Sequence, residues 1–266
     1  MKMELPMQIP THTHGLPMVV TAFGTTTRAM ETYDKMDAVF RSVFPDNPIH
    51  WAYSSRMVKH AMKKKKNLMD PLETLAMLEA QGHKWAMIQS LHLICGHEFD
   101  RLKDERLDLG IRTGMGLPLL TSHLDYLEAA YALTPVISKD PTTATVLVGH
   151  GTDHPAWAAY PALESVLRKE YGPSVYVGVV EEEPGMDVIL ERILTAGHTR
   201  VHLVPFMLVA GVHFKEDLTR EEDSWQGTFE RNGLQVSVHD QGMGHLEMIT
   251  RIFCRHMAEG LDIIPV

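Results

Sequence analysis

TVLVGHGTD, at residues 145–153, has a near copy earlier in the chain, MVVTAFGTT, at residues 18–26. Each is a short run of mostly β-branched and apolar residues that ends in a glycine-containing turn, as expected for a buried parallel strand that leads into a helix. The match extends further along the chain. The dipeptide Gly-His occurs at 82–83 and again at 197–198, and in both places another glycine follows 14 residues after the first. The sequence therefore predicts two copies of one structural unit.

Both copies alternate strand-length apolar runs with segments of helical period. Strands are expected at 18–23, 48–53, 86–94 and 116–120, and again at 145–150, 175–181, 201–209 and 234–238. Helices are expected near 28–43, 55–65, 71–81 and 123–133, and again near 155–170, 186–196 and 244–258. This order predicts an α/β fold with two similar Rossmann-like or flavodoxin-like domains, each a parallel sheet flanked by helices, and a cleft between them.

The repeat also gives the expected domain boundaries. Residues 1–15 are predicted to be an N-terminal tail, residues 16–138 the N-terminal domain and residues 142–266 the C-terminal domain. The polar segment Ser-Lys-Asp-Pro-Thr at 138–142 is the expected linker. Each half is long enough to bury a core of its own.

Composition narrows the functional classes. The chain has 266 residues, of which 44% are apolar and 22% charged, and a net charge of −9. That charge argues against nucleic acid or an anionic membrane as a partner. No apolar run has the roughly 20 residues that span a bilayer, and the N-terminus lacks a signal-peptide core, so a cytoplasmic location is expected. Cys95 and Cys254 have no metal or redox spacing and are expected to be buried thiols.

Three predicted strands of the second copy end in side chains that can bind a metal ion. These are His150, Glu181 and His213, and they should meet because the carboxyl ends of parallel strands share one edge of a sheet. Two imidazoles and a carboxylate suit Co²⁺, Fe²⁺, Ni²⁺ or Zn²⁺ and leave coordination positions open. The first copy has Phe23 in place of His150 and Glu98 in place of His213, so only one copy is specialised.

Simpler interpretations stay open for each residue alone. A histidine after a strand is usually an ordinary loop residue, and Glu181 begins a run of three glutamates that is typical of a solvated turn. A nucleotide is not expected as cofactor, because Gly149-His150-Gly151 lacks the later glycine of a dinucleotide-binding motif.

The chain resembles the anaerobic sirohydrochlorin cobaltochelatases of the CbiK type, within the class II chelatase superfamily. The resemblance covers nearly the whole chain in the expected order, and the segments that carry it are 22–25, 88–92, 116–120, 149–151, 177–181 and 208–213. It implies two chelatase-type domains with a tetrapyrrole in the cleft between them. It also implies that His150 and His213 are the metal-binding histidines and that Glu181 is their acidic partner.

The function implied by the resemblance is insertion of Co²⁺ into sirohydrochlorin in cobalamin biosynthesis, without a nucleotide. Insertion of Fe²⁺ toward sirohaem is an alternative, and so is a metal or tetrapyrrole carrier that performs no insertion. Self-association through the apolar residues at 91–94 stays open. The residues expected to face the substrate are Phe23, Gly24, Thr25, Ser90, His92, Glu98 and Gly151.

Overall fold

The computed structural model describes residues 9–24, 30–55, 68–106, 109–211, 218–219 and 223–265. The strands are β1 Met18–Ala22, β2 Ile49–Tyr53, β3 Trp85–Ser90, β4 Arg112–Gly116, β5 Thr143–Gly149, β6 Val175–Val179, β7 Arg200–Pro205 and β8 Gln235–Val238. The α-helices are α1 Met30–Val43, α2 Pro71–Ala80, α3 His97–Glu105, α4 His123–Ala132, α5 Ala159–Tyr171, α6 Met186–Thr195, α7 Trp225–Arg231 and α8 Glu247–Asp262.

The strands form two four-stranded sheets of the same topology. Their orders are β2-β1-β3-β4 and β6-β5-β7-β8, and every neighbouring pair is parallel. The predicted α/β class, with two parallel sheets flanked by helices, is confirmed. In both sheets the first strand of the copy lies second in order, with the next strand on one side of it and the third on the other. The order in which strands are added therefore reverses at this point, and the loops after the two central strands diverge there.

The duplication is also present in backbone bonds outside the ladders. Just past the carboxyl end of the first sheet, Leu91 N donates to Thr21 O at 2.9 Å, and at the same place in the second sheet Phe206 N donates to Val148 O at 2.8 Å. Two copies of one backbone thus carry different side chains at equivalent positions.

Each sheet has its own apolar core. In the first unit Val19, Ala52 and Ile88 pack with helix residues Leu75 and Leu78 of α2. A capping box fixes the start of that helix. The Asp70 side chain accepts a hydrogen bond from Glu73 N at 2.9 Å, and the Glu73 side chain accepts one from Asp70 N at 3.0 Å. Pro71 occupies the first turn, as the sequence predicts. The core of the second unit is built around Val146, Val148, Ile189, Leu203 and Phe229.

The two compact units differ from the two sequential halves expected from the repeat. The first comprises Met1–Thr121 and Ile249–Val266, and the second comprises Ser122–Met248. Helix α4 packs on α5 in the second unit, where Tyr171 Oη donates to Ala130 O at 2.9 Å. Most of α8 lies in the first unit, where His256 Nδ1 donates to Leu117 O at 2.9 Å. The last helix of each sequence copy therefore belongs to the other copy's unit. The two units thus differ from the predicted domains, which divide between residues 138 and 142.

The described part of the predicted tail, residues 9–15, is bonded to the first unit. Gly15 N donates to Asp46 O at 2.8 Å, and the Asn47 side chain donates to Thr13 O at 2.8 Å. Thr13 is buried. These bonds hold the segment beside the start of β2, so it is not a free tail.

Several predicted elements need correction. The fourth strand is Arg112–Gly116 and not 116–120, because Leu119 and Leu120 are buried in a loop whose amides donate to carbonyls after β3. The strands predicted at 86–94 and 201–209 end earlier, at Ser90 and Pro205. The helix predicted at 55–65 lies almost wholly outside the described residues.

The two cysteines differ. Cys254 is buried as expected, whereas Cys95 is only half-buried, and its Sγ lies 3.7 Å from Thr121 Oγ1.

Over the part of the chain that is described, no helix is both long enough and apolar enough to cross a bilayer.

Candidate metal centre

His150 and Glu181 lie together at the carboxyl edge of the second sheet. His150 directly follows β5 and Glu181 follows β6, the strand next to it. The ladder continues past both strand ends, since Val180 N donates to Gly149 O at 3.0 Å and Glu181 N donates to His150 O at 2.8 Å. The backbone therefore fixes which two side chains are neighbours at this edge.

The side chains themselves meet in solvent. His150 Nδ1 lies 3.7 Å from Glu181 Oε2, and the two side chains are 66% and 65% exposed. A contact that exposed contributes little to stability, because water competes for both groups. Its imidazole and carboxylate are therefore accessible to an incoming cation, which needs to displace only a weak contact.

Gly151 allows the loop after β5 to lie against the loop after β6. Its φ is +94°, a value that side chains with a Cβ rarely adopt. A Cβ built on Gly151 would overlap the carbonyl group of Glu181. Glycine at this position is thus a condition for placing His150 beside Glu181.

Tyr160, on α5, supports the same loop from inside the unit. Its hydroxyl accepts a hydrogen bond from Gly151 N at 3.2 Å, and its ring lies against Gly149. The side chain is buried, and burial raises the pKa of the Tyr160 hydroxyl, so the hydroxyl stays neutral. Sequence reasoning missed Tyr160, although the nine-residue spacing from Gly151 to Tyr160 repeats that from Gly24 to Tyr33.

Glu181 is held by a tight turn of three glutamates. Val179 N donates to Pro184 O at 3.0 Å and closes the turn, and Glu182 has a φ of +67°. A non-glycine residue in that region costs of order 1–3 kcal/mol and persists only where surrounding contacts impose it. The glutamate run is a solvated turn, as its composition suggests, and it also aims Glu181 at His150.

The third predicted ligand, His213, lies outside the described residues, together with its neighbours at 212–217. Within the described ranges, no group of three His, Cys, Asp or Glu side chains is arranged to hold a metal ion. The structure thus brings together His150 and Glu181 and leaves the role of His213 a prediction.

The first unit has the same backbone without the metal donors. Ser55 N donates to Phe23 O at 3.1 Å, so Ser55 stands where Glu181 does and Phe23 where His150 does. Gly24 has a φ of +96° and donates to the Tyr33 hydroxyl at 3.2 Å, as Gly151 does to Tyr160. Phe23 is 53% exposed, an apolar ring presented to solvent at the sheet edge.

Glu98 forms an ion pair with Arg101. Its Oε2 accepts from Arg101 Nη2 at 2.6 Å, and the same nitrogen lies 3.4 Å from Ser54 O. Where the second copy is predicted to use His213, the first copy thus has a carboxylate engaged by a guanidinium from its own helix α3.

Of two other predicted substrate residues, Ser90 faces the protein interior and His92 is half-buried. Ser90 is fully buried, and its Oγ lies 2.7 Å from His92 Nδ1. Burial, with a smaller contribution from Arg101, lowers the pKa of His92 to about 4, so the imidazole is neutral at physiological pH. His92 Nε2 is shielded from solvent and has no hydrogen-bond partner among the described residues. Thr25 lies outside the described residues.

The two repeated α/β units share one sheet topology, and one of them carries an exposed imidazole and carboxylate at adjacent strand ends. The family model for cobalt chelatase (CbiK) matches residues 17–262. The chain belongs to the cobalt chelatase family.

Individual relatives agree with that assignment. A sirohydrochlorin cobaltochelatase of Salmonella typhimurium is 34% identical over 226 residues, which cover 82% of this chain and 85% of the relative. Sirohydrochlorin cobaltochelatase CbiKC of Nitratidesulfovibrio vulgaris is 29% identical over 257 residues, 93% of this chain and 91% of the relative.

Solved structures support the fold. SirB from Bacillus subtilis with Fe³⁺ has a TM-score of 0.62 at 12% identity and covers 92% of this chain and 95% of its own. The sirohydrochlorin chelatase SirB of Bacillus subtilis subspecies spizizenii in complex with cobalt has a TM-score of 0.60 at 13% identity, with 93% and 95% covered.

Proposed function

We propose that the chain inserts Co²⁺ into sirohydrochlorin and that His150 and Glu181 hold the metal before it is transferred. The observation that carries the proposal is the 3.7 Å approach of His150 Nδ1 to Glu181 Oε2 at the edge of the second sheet, in a member of the cobalt chelatase family. Both curated relatives are named sirohydrochlorin cobaltochelatases.

The ligand set fits this metal. An imidazole and a carboxylate are donors that divalent cobalt accepts, and they leave positions for water or for the nitrogens of a macrocycle. We assign His213 as the third ligand, because it lies in the segment after β7, which pairs with β5, although Pro205 at the end of β7 is eight residues before it. Three protein ligands would hold the ion in place, and the exposure of His150 and Glu181 lets a flat substrate approach it from the open side.

Insertion also requires proton transfer. The macrocycle loses two pyrrolic N–H protons as its nitrogens bind the metal, and the protein ligands become free at the same moment. His150 and Glu181 can then accept protons where the metal was, since an imidazole and a carboxylate are both bases once uncoordinated. In this scheme, Co²⁺ binding displaces a proton from the pair, so acid competes with metal.

The first unit supplies a different surface. Phe23, at the position equivalent to His150, offers an exposed aromatic face to a large flat ligand. Ser55, in the place of Glu181, cannot compete for the metal as a carboxylate would. We propose that the first copy binds macrocycle and the second copy binds metal. The cleft implied by the family resemblance stays a prediction.

The test is an anaerobic absorption assay with sirohydrochlorin and either Co²⁺ or Fe²⁺. The proposal expects a spectral change whose rate is proportional to protein concentration and which continues beyond one turnover. Glu181→Gln should slow the reaction with Co²⁺ about 100-fold, because it removes the charge that faces the metal. Glu182→Gln changes the next residue of the same turn and should leave the rate as it is. A change that stops at one equivalent per chain would indicate a carrier instead.

A further inference from the structure

A second pair of histidines lies on the second sheet, away from the edge that carries His150. His202 lies within β7, and His239 directly follows β8. Their ring centroids are 6.4 Å apart and their planes meet at 72°. β8 is the edge strand of the sheet, so one of the two imidazoles lies at its open side.

Strand alternation places both histidines on the face opposite the core. Val201 and Leu203, which flank His202, belong to the apolar core, and Val236 and Val238 of β8 pack against it. Side chains between them must therefore point the other way. His202 is the register partner of Ser237, so these two side chains project from the same face.

Ser237 Oγ lies 2.9 Å from His202 Nδ1 and 3.3 Å from Val201 O, a carbonyl oxygen that can only accept. We assign the Ser237 hydrogen to Val201 O and the His202 proton to Nδ1, which leaves a lone pair on His202 Nε2. Burial, and to a smaller extent the neighbouring His239, lowers the pKa of His202, which favours the same neutral form.

This arrangement is that of a metal-binding histidine held by an outer hydrogen bond. Ligating imidazoles usually donate their second N–H to a hydroxyl, carbonyl or carboxylate, which fixes ring orientation. With metal-nitrogen bonds of about 2.0–2.1 Å, a shared ion holds two imidazole centroids about 5–6 Å apart. The observed 6.4 Å is within one small side-chain rotation of that spacing.

The surroundings of His202 leave room for water and do not oppose a cation. A cavity of about 590 Å³ adjoins His202 and is also lined by Gln235 and Ser237. Arg200 lines the same cavity, but its guanidinium is paired with Asp140 at 2.6 Å, so its charge is offset.

We propose that His202 and His239 together bind a divalent transition-metal ion, with water in the remaining positions, at a site separate from His150 and Glu181. Two protein ligands make it a weaker site than one with three. The ion would join β7 to the edge strand β8 and stabilise the second unit as it binds. The inference does not depend on the proposed chelatase reaction.

The test is metal stoichiometry by equilibrium dialysis and calorimetry, with Co²⁺ and then Zn²⁺ as the added metal. The unchanged chain should bind two ions, and a His150→Ala/His213→Ala variant should keep one. Adding His239→Ala to that variant should weaken the remaining site at least 10-fold, and Ser237→Ala should weaken it about 10-fold by releasing the His202 ring. His198→Ala, which removes another histidine of the second unit, serves as the matched control and should retain it.

A thermal readout distinguishes a specific site from loose association. Zn²⁺ should raise the Tm of the His150→Ala/His213→Ala variant and leave that of a variant with His239→Gln added unchanged. If the His150→Ala/His213→Ala variant does not fold, the number of bound ions can be compared between the unchanged chain and the single variant His239→Gln. It should fall from two to one. Binding that persists at equal affinity in a His202→Ala/His239→Ala variant, or a metal count in the unchanged chain that His239→Gln does not lower, would overturn the proposal.

Discussion

The amide of Glu181 donates a 2.8 Å hydrogen bond to the carbonyl oxygen of His150, so the two residues that we propose as metal ligands are joined through their backbones. The bond does not depend on either side chain, because Ser55 and Phe23 make the same contact at 3.1 Å in the first unit. The position of the pair is thus a property of the duplicated fold. Its chemistry is a property of two side chains that only one copy carries.

Gly151→Ala should disrupt this position. The new Cβ would overlap the Glu181 carbonyl, which is backbone and cannot rotate away, and the φ of +94° adds strain of about 1–2 kcal/mol. We expect the Co²⁺ insertion rate to fall at least 10-fold. Gly172→Ala is the control, since Gly172 has a φ of +90° and open space around it. It should lower the Tm by the strain alone and keep the rate, and equal rate losses in both variants would contradict the account.

Tyr160→Phe should weaken metal binding more than it weakens the fold. The change removes the acceptor for Gly151 N, which is worth about 1 kcal/mol of unfolding free energy. Tyr33→Phe removes the equivalent bond to Gly24 in the unit without metal donors. Both variants should lose similar stability in denaturant titrations. Only Tyr160→Phe should raise the Kd for Co²⁺, and a matching rise in Tyr33→Phe would show that the effect is not local.

His92 should make stability depend on pH. Its pKa of about 4 in the folded chain lies below the usual 6.5, so the unfolded chain binds the proton more readily. The free energy of unfolding must therefore fall as pH drops from 6.5 toward 4, by about 2 kcal/mol at pH 5 from this group.

Comparison with His92→Asn isolates that contribution. The difference in unfolding free energy between pH 7 and pH 5 should be smaller in His92→Asn than in the unchanged chain, whereas the exposed His123→Asn should behave as the unchanged chain does. An identical pH dependence in all three proteins would rule out a His92 with a lowered pKa in the folded chain.

Rebuilding the pair in the first unit tests the equivalence of the two copies. Phe23→His with Ser55→Glu places an imidazole and a carboxylate on the backbone that already joins these residues. The double variant should bind one more Co²⁺ per chain than the unchanged protein in equilibrium dialysis. Neither single variant should do so, because one donor is too weak a site. No gain in the double variant would mean that the copies diverge at this edge.

The sequence predicted the parts of the fold that depend on local pattern. β1 and β5 were predicted within two residues at each end, because apolar runs closed by glycine turns determine a buried strand locally. β4, Arg-Thr-Gly-Met-Gly, was misplaced because it has almost no apolar pattern and is held by its pairing with β3. α3 was missed because only Phe99 and Leu102 of its nine residues are buried.

The candidate site was predictable in part for the same reason. His150 and Glu181 follow strands, so topology alone brings them to one edge. The ion pair of Glu98 with Arg101 and the burial of Ser90 depend on how α3 packs, which no local pattern reveals. Exchange of α4 and α8 between units also depends on packing alone, and the sequence repeat predicts the opposite assignment.

The most direct test of the central claim is the rate of cobalt-sirohydrochlorin formation by His150→Ala beside the unchanged chain, at saturating substrate and with protein concentration varied. The account predicts multiple turnovers for the unchanged chain and a rate at least 100-fold lower for His150→Ala, with the Kd for Co²⁺ raised in parallel. A variant that turns over at the unchanged rate would contradict it, since the metal would then reach the macrocycle without the imidazole at the end of β5.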